Sequence, residues 1–495
     1  MISLTLKPGA FGGLRREVLA GMVGTFALIP EVIAFSFVAG VDPEVGLFAS
    51  FVIGIVISFA GGRSAMISGA AGSVALVAAV LVREHGLQYL LGATLLAGAI
   101  QIAFGLLRLH VLMRFVSRSV RTGFVNALAI LIFCAQLPQV VGPHWQFGTG
   151  FGWWNLAMIA AGLALIYLVP KVTTLIPSPL ICIAVLTVVA VLTPMHLRTV
   201  ADLGRLPSSL PRLHWPAVPL SMATFEIIGP YALAMAVVGL LESMMTASVV
   251  DELTETTSSK RRECTGLGIA NVAAGLFGGI AGCGMIGQTV GNVRYGGRGR
   301  LSTFVAGAFL LVLTVLLRPW VAQVPVAALV AIMIMVSIST FSWSSLRDLV
   351  VHPRTSSAVM LATVVVVVAT SDLAIGVVVG VLLSGVFFAF KVTRMMEITA
   401  SYDAATDTRR YVVRGQVFFA SADLFAERFD LRDTARTVLI DLRHAHLWDI
   451  TAVGALESVV TKMRRHGTKV EIEGLNEASA LMLERHADVS AMEAQ

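Results

Sequence analysis

Apolar runs, most of them near the length that crosses a bilayer, recur throughout the first 394 residues of the chain. A bilayer core needs about 20 apolar residues per helix, and a soluble fold has no use for so many such runs. Bounded by charge, Pro or Gly clusters, they fall near 18–38, 44–61, 70–82, 88–107, 121–138, 152–169 and 179–194. A second set falls near 225–249, 265–281, 284–293, 301–317, 325–341, 357–370 and 374–390. Two sets of seven predict an all-α membrane domain over 1–394, built from repeats at about 14–195 and 221–394. The runs are too long for the strands of a membrane β-barrel. Composition agrees: 13% of residues are charged, against about 25% in soluble domains. Disorder is excluded by the high apolar content, and four Cys without paired spacing exclude a disulfide framework or a zinc module.

Charge is distributed unevenly. Residues 1–394 hold 24 Lys/Arg and 14 Asp/Glu, whereas 395–495 hold 12 and 16, so a water-soluble domain of net −4 follows the membrane part. With the N-terminus in the cytoplasm and sides alternating, 19 of the 24 basic residues fall inside, and only Arg83, Arg198, Arg205, Arg212 and Arg318 fall outside. That bias is the expected signature of cytoplasmic loops. It accounts for the basic balance without nucleic-acid binding, for which no aromatic-basic motif is present. The reading is a multi-pass protein of the cell inner (plasma) membrane with both termini cytoplasmic. The start, with Arg15 and Arg16, leads into a full-length span rather than a cleavable signal peptide.

Two runs are too short to span as helices. The third opens with Ser68, Gly69, Ala70, Ala71, Gly72 and Ser73 and stays apolar only to Val82; the tenth runs from Gly282 through Cys283, Gly284, Met285, Ile286, Gly287 and Gln288 to Thr289. Each is third in its set, Gly72 and Cys283 lie 211 residues apart, and so do Glu31 and Glu242. Short, Gly-interrupted segments at matching places in two halves point to an inverted-repeat transporter with a midplane site. As half-helices facing each other, they would present free backbone N–H groups and about half a positive charge each. That is an anion site needing no metal, cofactor or fixed cation. Ala70, Ala71, Gly72, Ser73, Cys283, Gly284, Met285 and Gln288 are the candidate contacts, with Thr289 as a further hydroxyl donor. Glu31 and Glu242 are the only acids well inside the predicted spans, where an ionised side chain costs roughly 3 kcal/mol. Desolvation opposes their charge while facing helix N-termini favour it, which suits them to carrying protons. The charged loop from Asp251 to Glu263 reads as a solvated face.

These residues resemble the sulfate permease (SulP) family. Gly40 to Phe48 (GVDPEVGLF) is similar to its first-loop motif; Pro30, Glu31, Val32, Ile33, Ala34 and Phe35 are similar to its Pro-Gln-x-x-Ala-Tyr. Ile67 to Gly72 resembles the start of its third span, and Leu240, Leu241, Glu242 and Ser243 the acidic motif of its eighth. The resemblance implies a seven-plus-seven inverted repeat, a core moving against a gate, an anion between spans three and ten with Phe35 beside it, and a homodimer. Where many members carry Thr-Gly-x-x-x-Arg, this chain has Cys283, Gly284, Met285, Ile286, Gly287 and Gln288; Glu31 replaces a usual Gln. Losing a cation and gaining an acid both oppose a bare divalent anion unless protons enter with it. The expected activity is therefore proton-coupled symport of sulfate, bicarbonate or a small carboxylate such as fumarate, with Glu242 as the leading proton site. An anion exchanger or channel on the same scaffold is the alternative. An enzyme is disfavoured because no HExxH, GxSxG or paired-Asp constellation is present.

Residues 395–495 resemble the STAS domain, with strands expected at 411–419, 436–441 and 468–473 and helices at 421–430, 451–465 and 476–485. Alternating strands and helices make an α/β layer. Ile450 stands where stand-alone relatives carry a phosphoacceptor hydroxyl, which excludes phosphorylation there, and Thr451 is the expected N-cap of the next helix.

Overall fold

The computed structural model describes residues 10–141, 153–172, 178–193, 197–207, 210–219, 221–351, 353–432 and 434–484. The chain forms two compact units, 1–381 and 382–495. In the first half, α1 (Ala10–Ala39), α2 (Pro43–Ala60), α3 (Gly72–His85), α4 (Leu87–Leu106), α5 (Arg118–Val141), α6 (Trp153–Val172) and α7 (Ser178–Leu192) coincide with the first seven apolar runs. The second half follows as α8 (Met222–Thr254), α9 (Lys260–Leu276), α10 (Ile286–Arg294), α11 (Arg300–Leu316), the short α12 (Arg318–Ala322), α13 (Val326–Thr340), the short α14 (Ser344–Val351), α15 (Arg354–Thr370) and α16 (Leu373–Thr393). Among the described residues, eight helices are long and apolar enough to cross a membrane, and three more are apolar over shorter lengths. With lipid as apolar as their own side chains, such helices associate through close backbone approach at small residues. A Cβ on Gly98 would lie 2.7 Å from the Gly268 carbonyl oxygen, and one on Gly54 would lie 3.0 Å from the Gly307 Cα. Those crossings join α4 to α9 and α2 to α11. In each, the second helix of one half meets the fourth of the other, as two repeats related by a pseudo-two-fold axis require.

The third element of each half is broken. Strand β1 (Ser68–Ala70) precedes α3 and strand β2 (Gly282–Gly284) precedes α10. They pair antiparallel, Ser68 opposite Gly284, Gly69 opposite Cys283 and Ala70 opposite Gly282. Antiparallel entry makes α3 and α10 leave the pair in opposite directions, with their N-termini at its two ends. At a strand rise of 3.3 Å per residue, those ends are roughly 10 Å apart. All six strand residues are buried. Extended backbone at that depth is tolerated only when its polar groups are satisfied, and here they are. Ser50 Oγ accepts from Ala70 N at 2.9 Å, and Asn271 Oδ1 accepts from Gly282 N at 2.9 Å. The two caps come from α2 and α9, again the second helix of each half.

The loop read as a solvated face is only partly so. Glu263 is fully buried, and its Oε2 accepts from Gly62 N at 2.7 Å and Arg63 N at 3.0 Å. Asp251 takes the Arg63 guanidinium at 3.0 Å and the Lys260 ammonium at 3.1 Å. Glu263 thus ties the α9 N-terminal turn to the exit of α2.

The second unit carries a four-stranded sheet of β3 (Glu397–Asp403), β4 (Thr408–Val417), β5 (Thr437–Leu447) and β6 (Lys469–Glu473), in that order. β4, β5 and β6 run parallel, and β3 is an antiparallel addition outside the three expected strands. Helices α17 (Ala422–Glu427) and α18 (Ile450–Arg465) supply Phe425, Leu456, Val459 and Met463 to a core with Val438 and Ile440. The N-cap of α18 is Asp449, whose carboxylate accepts from Ala452 N at 2.9 Å, so Thr451 does not fill that role; Ile450 is 69% exposed.

Candidate anion-binding site

Both half-helix starts open on one cavity of about 260 Å³. Its wall takes Glu31 and Phe35 from α1, Ala71 and Gly72 from the start of α3, Glu242 from α8, and Met285, Ile286, Gly287 and Gln288 from the start of α10. The opposite wall is Phe124, Val125, Leu128 and Ile132 of α5, Pro179 of α7, and Met335, Val336, Ser339 and Thr340 of α13. Among the described residues, no Lys or Arg lines it. Neither α3 nor α10 has a side-chain N-cap, so their first-turn amides are the positive groups available to a ligand. Gly72 keeps that approach open beside an aromatic ring: a Cβ there would lie 2.7 Å from Phe35 Cε1.

Glu242 links the two starts. Its Oε2 accepts from the Ser73 hydroxyl in the first turn of α3 and from the Cys283 thiol at 3.0 Å, immediately before α10. The carboxyl therefore sits where the two macrodipoles converge and faces the cavity. Glu31 follows Pro30 in α1, where the missing backbone N–H weakens the helix locally. Its carboxyl meets the Gln288 side chain and the field of Glu242.

Of the candidate contacts, Phe35, Ala71, Gly72, Met285, Gln288, Glu31 and Glu242 line the cavity together; Ala70, Ser73, Cys283 and Gly284 do not. The Ala70 amide is taken by Ser50, and the Gly284 amide by Ser243 Oγ at 2.8 Å. Ser73 and Cys283 spend their donors on Glu242. Thr289 is likewise committed, its hydroxyl donating to the Ile67 carbonyl at 3.2 Å and accepting from Ile67 N at 2.9 Å. These groups hold the helix starts in place behind the ligand surface. Sequence reasoning missed Asn271, which satisfies both backbone groups of Gly282 and donates to Gln101 Oε1 at 2.8 Å. The clue was its type: an amide inside an apolar run needs a buried partner. The α5, α7 and α13 wall had no such clue, because its residues are ordinary apolar and hydroxyl side chains.

Paired broken helices, crossed at their amide-bearing ends inside a helical membrane domain, define a membrane transporter rather than an enzyme. Comparison with known proteins agrees. The chain matches the sulfate permease family over residues 14–363 and the STAS domain over 402–487. It belongs to the sulfate permease family. The chain is 50% identical to "Putative sulfate transporter YbaR" of Bacillus subtilis, over 98% of this chain and 99% of that protein. It is 25% identical to the bicarbonate transporter BicA of Picosynechococcus, over 94% and 89%. Among solved structures, the murine Slc26a9 anion transporter in its inward-facing state superposes with a TM-score of 0.82 over 95% of this chain and 87% of that one, at 16% identity. The transmembrane domain of a cyanobacterial BicA gives 0.63 over 75% and 98%, at 22% identity. At those identities the structures establish the fold alone.

Proposed function

We propose that the chain is a secondary-active importer of small anions, working by alternating access with protons as the coupling ion. Substrates of the class sulfate, bicarbonate or small carboxylate fit the cavity, and the names of the relatives above include the first two. The observation that carries the reading is one cavity bounded by two uncapped helix N-termini with a carboxyl between them. Ionised Glu242 would stand roughly 5 Å from an anion at the helix starts, a repulsion of about 3 kcal/mol at an effective dielectric of 20. Protonation removes that repulsion. Anion and proton binding then favour each other by the same factor, on the order of 100-fold. Glu31, on the same wall, supplies a second carboxyl, so that a divalent anion could enter with two protons and no net charge. In this reading the protein crosses the inner membrane fourteen times with both termini cytoplasmic and works as a homodimer. The STAS unit serves assembly or abundance, since Ile450 cannot be phosphorylated.

The test is flux into proteoliposomes of sulfate, bicarbonate, chloride, oxalate and fumarate, with and without an inward proton gradient. At least one of these anions should accumulate against its gradient only when protons flow inward. Passive conductance indifferent to pH would assign the scaffold to a channel instead.

A further inference from the structure

A second polar cavity, of about 270 Å³, lies apart from the first, at the feet of α5 and α15. Arg118, Ser119 and Thr122 line it from α5; Pro353, Ser356, Ser357 and Met360 from the α15 side; and Asp348 from α14. The two helices run parallel there. Arg118 and Ser119 share one cavity with Pro353 and Ser356, and further in a Cβ on Gly123 would touch the Met360 carbonyl oxygen at 2.8 Å and Thr363 Cβ at 2.8 Å, so both chains enter their helices at the same end of the crossing. Parallel neighbours place two positive dipole ends side by side, an arrangement that repels unless negative charge lies between them. Asp348, the acid on the rim, is engaged with another group. Among the described residues, the structure gives no partner for the Arg118 guanidinium or for the Ser119, Thr122 and Ser356 hydroxyls, all facing the same space. Ser357 alone is spent locally, donating to the Leu349 carbonyl at 3.3 Å.

We infer that this cleft binds a phosphate group, held by the Arg118 guanidinium and by the hydroxyls of Ser119, Thr122 and Ser356. A forked guanidinium with several hydroxyl donors around a water-accessible pocket is suited to tetrahedral oxyanions. Basic residue distribution puts this end of α5 and α15 on the cytoplasmic side, where the phosphate can come from an anionic lipid headgroup or from free phosphate. The occupant would bear on transport directly. Thr122 lies on the cleft while Phe124 and Val125, less than one turn further along α5, line the transport cavity. Asn126 of the same helix donates to Ser345 Oγ at 2.8 Å and accepts from Ser342 N at 2.8 Å, fixing α5 to α14.

The experiment uses the purified full-length protein and reads its melting temperature. One arm titrates inorganic phosphate in detergent at constant ionic strength; the other compares nanodiscs of phosphatidylcholine alone with nanodiscs containing phosphatidylglycerol. Saturable stabilisation by phosphate, weakened about tenfold or more in Arg118→Gln and in Ser356→Ala but retained in Arg121→Gln, supports a soluble phosphate ligand. Arg121 is the control because it is exposed, as Arg118 is, but lies one turn away and outside the cleft. Stabilisation confined to the phosphatidylglycerol discs, with the same pattern among the variants, supports a lipid headgroup. If neither arm stabilises the wild type, or if Arg118→Gln responds as the wild type does, the inference is wrong. Because no flux is measured, this outcome is independent of the transport reading.

Discussion

Gly282→Ala probes the crossing on which the site is built. A Cβ at this position would lie 2.1 Å from the Gly69 carbonyl oxygen and 2.5 Å from its carbonyl carbon. Contacts under 3.0 Å are essentially never seen, and the obstruction is backbone rather than the end of a flexible side chain, so the strands must part by about 1 Å. Overpacking of this kind costs about 1–3 kcal/mol. It also breaks the alignment of the Gly282 amide with Asn271 Oδ1; a buried donor left unpaired adds about 1–3 kcal/mol. The expected total, about 2–6 kcal/mol, should appear as a melting temperature many degrees below wild type in detergent. Anion flux should be lost even in the fraction that remains folded, because the two helix starts no longer converge. Gly287→Ala is the contrast: a Cβ there meets nothing within 4 Å but projects from a residue lining the transport cavity. It should melt like wild type and raise the substrate KM. If Gly282→Ala matched wild type in both melting temperature and flux, the strand crossing would not be what holds the site together.

Asn271→Ala should destabilise by about 2–5 kcal/mol in the same melting assay, since it strands the Gly282 amide and Gln101 Oε1 in a dry interior; a change below about 1 kcal/mol would contradict its role. In the STAS unit, burial pushes Asp441 up, but the hydrogen bonds and charge of Arg410 and Arg443 outweigh it and hold the carboxyl below the usual carboxylate range. A depressed value means the stabilisation is complete above the unfolded carboxylate value and is lost as pH falls through the folded one. The protection factors of the 437–447 segment in the full-length protein, exchange taken relative to the intrinsic rate at each pH, should fall on acidification in wild type, and far less in Asp441→Asn. Removal of 396–495 should lower abundance or rate while leaving the order of substrate preference intact, as read by the flux screen; an altered order would place the tail in the selectivity machinery.

Length and hydrophobicity made the membrane helices legible, because a bilayer dictates both and each helix declares itself locally. The broken pair was legible for a similar reason. Gly-rich, shortened runs at Gly69–Gly72 and Gly282–Gly287 violate the spanning rule in matching places, and Glu31 and Glu242 violate the charge rule 211 residues apart. What could not be read was which polar groups are left for a ligand. Ser73, Cys283 and Thr289 carry plausible donors, yet Glu242 and the Ile67 carbonyl consume them. Those pairings span 41 to 222 residues and leave no periodic trace. Glu263 misled in the same way: among charged neighbours it looks solvated, and only the return of Gly62 and Arg63 shows it as an acceptor for buried amides. Strand β3 was missed although Ile398, Ala400 and Tyr402 alternate with polar residues, because it follows directly on the last membrane helix and its residues are almost all exposed.

Coupling is read at its source by the accumulation of the accepted anion in liposomes as a function of the imposed pH gradient, compared between wild type and Glu242→Gln. A glutamine can still accept the Ser73 and Cys283 donors but cannot take up or release a proton. For each proton coupled, one unit of inward gradient should raise wild-type accumulation about tenfold. The variant should lose the dependence on its proton while still exchanging anion for anion at equal pH. Unchanged proton dependence in the variant would contradict the assignment of Glu242 as the coupling carboxyl.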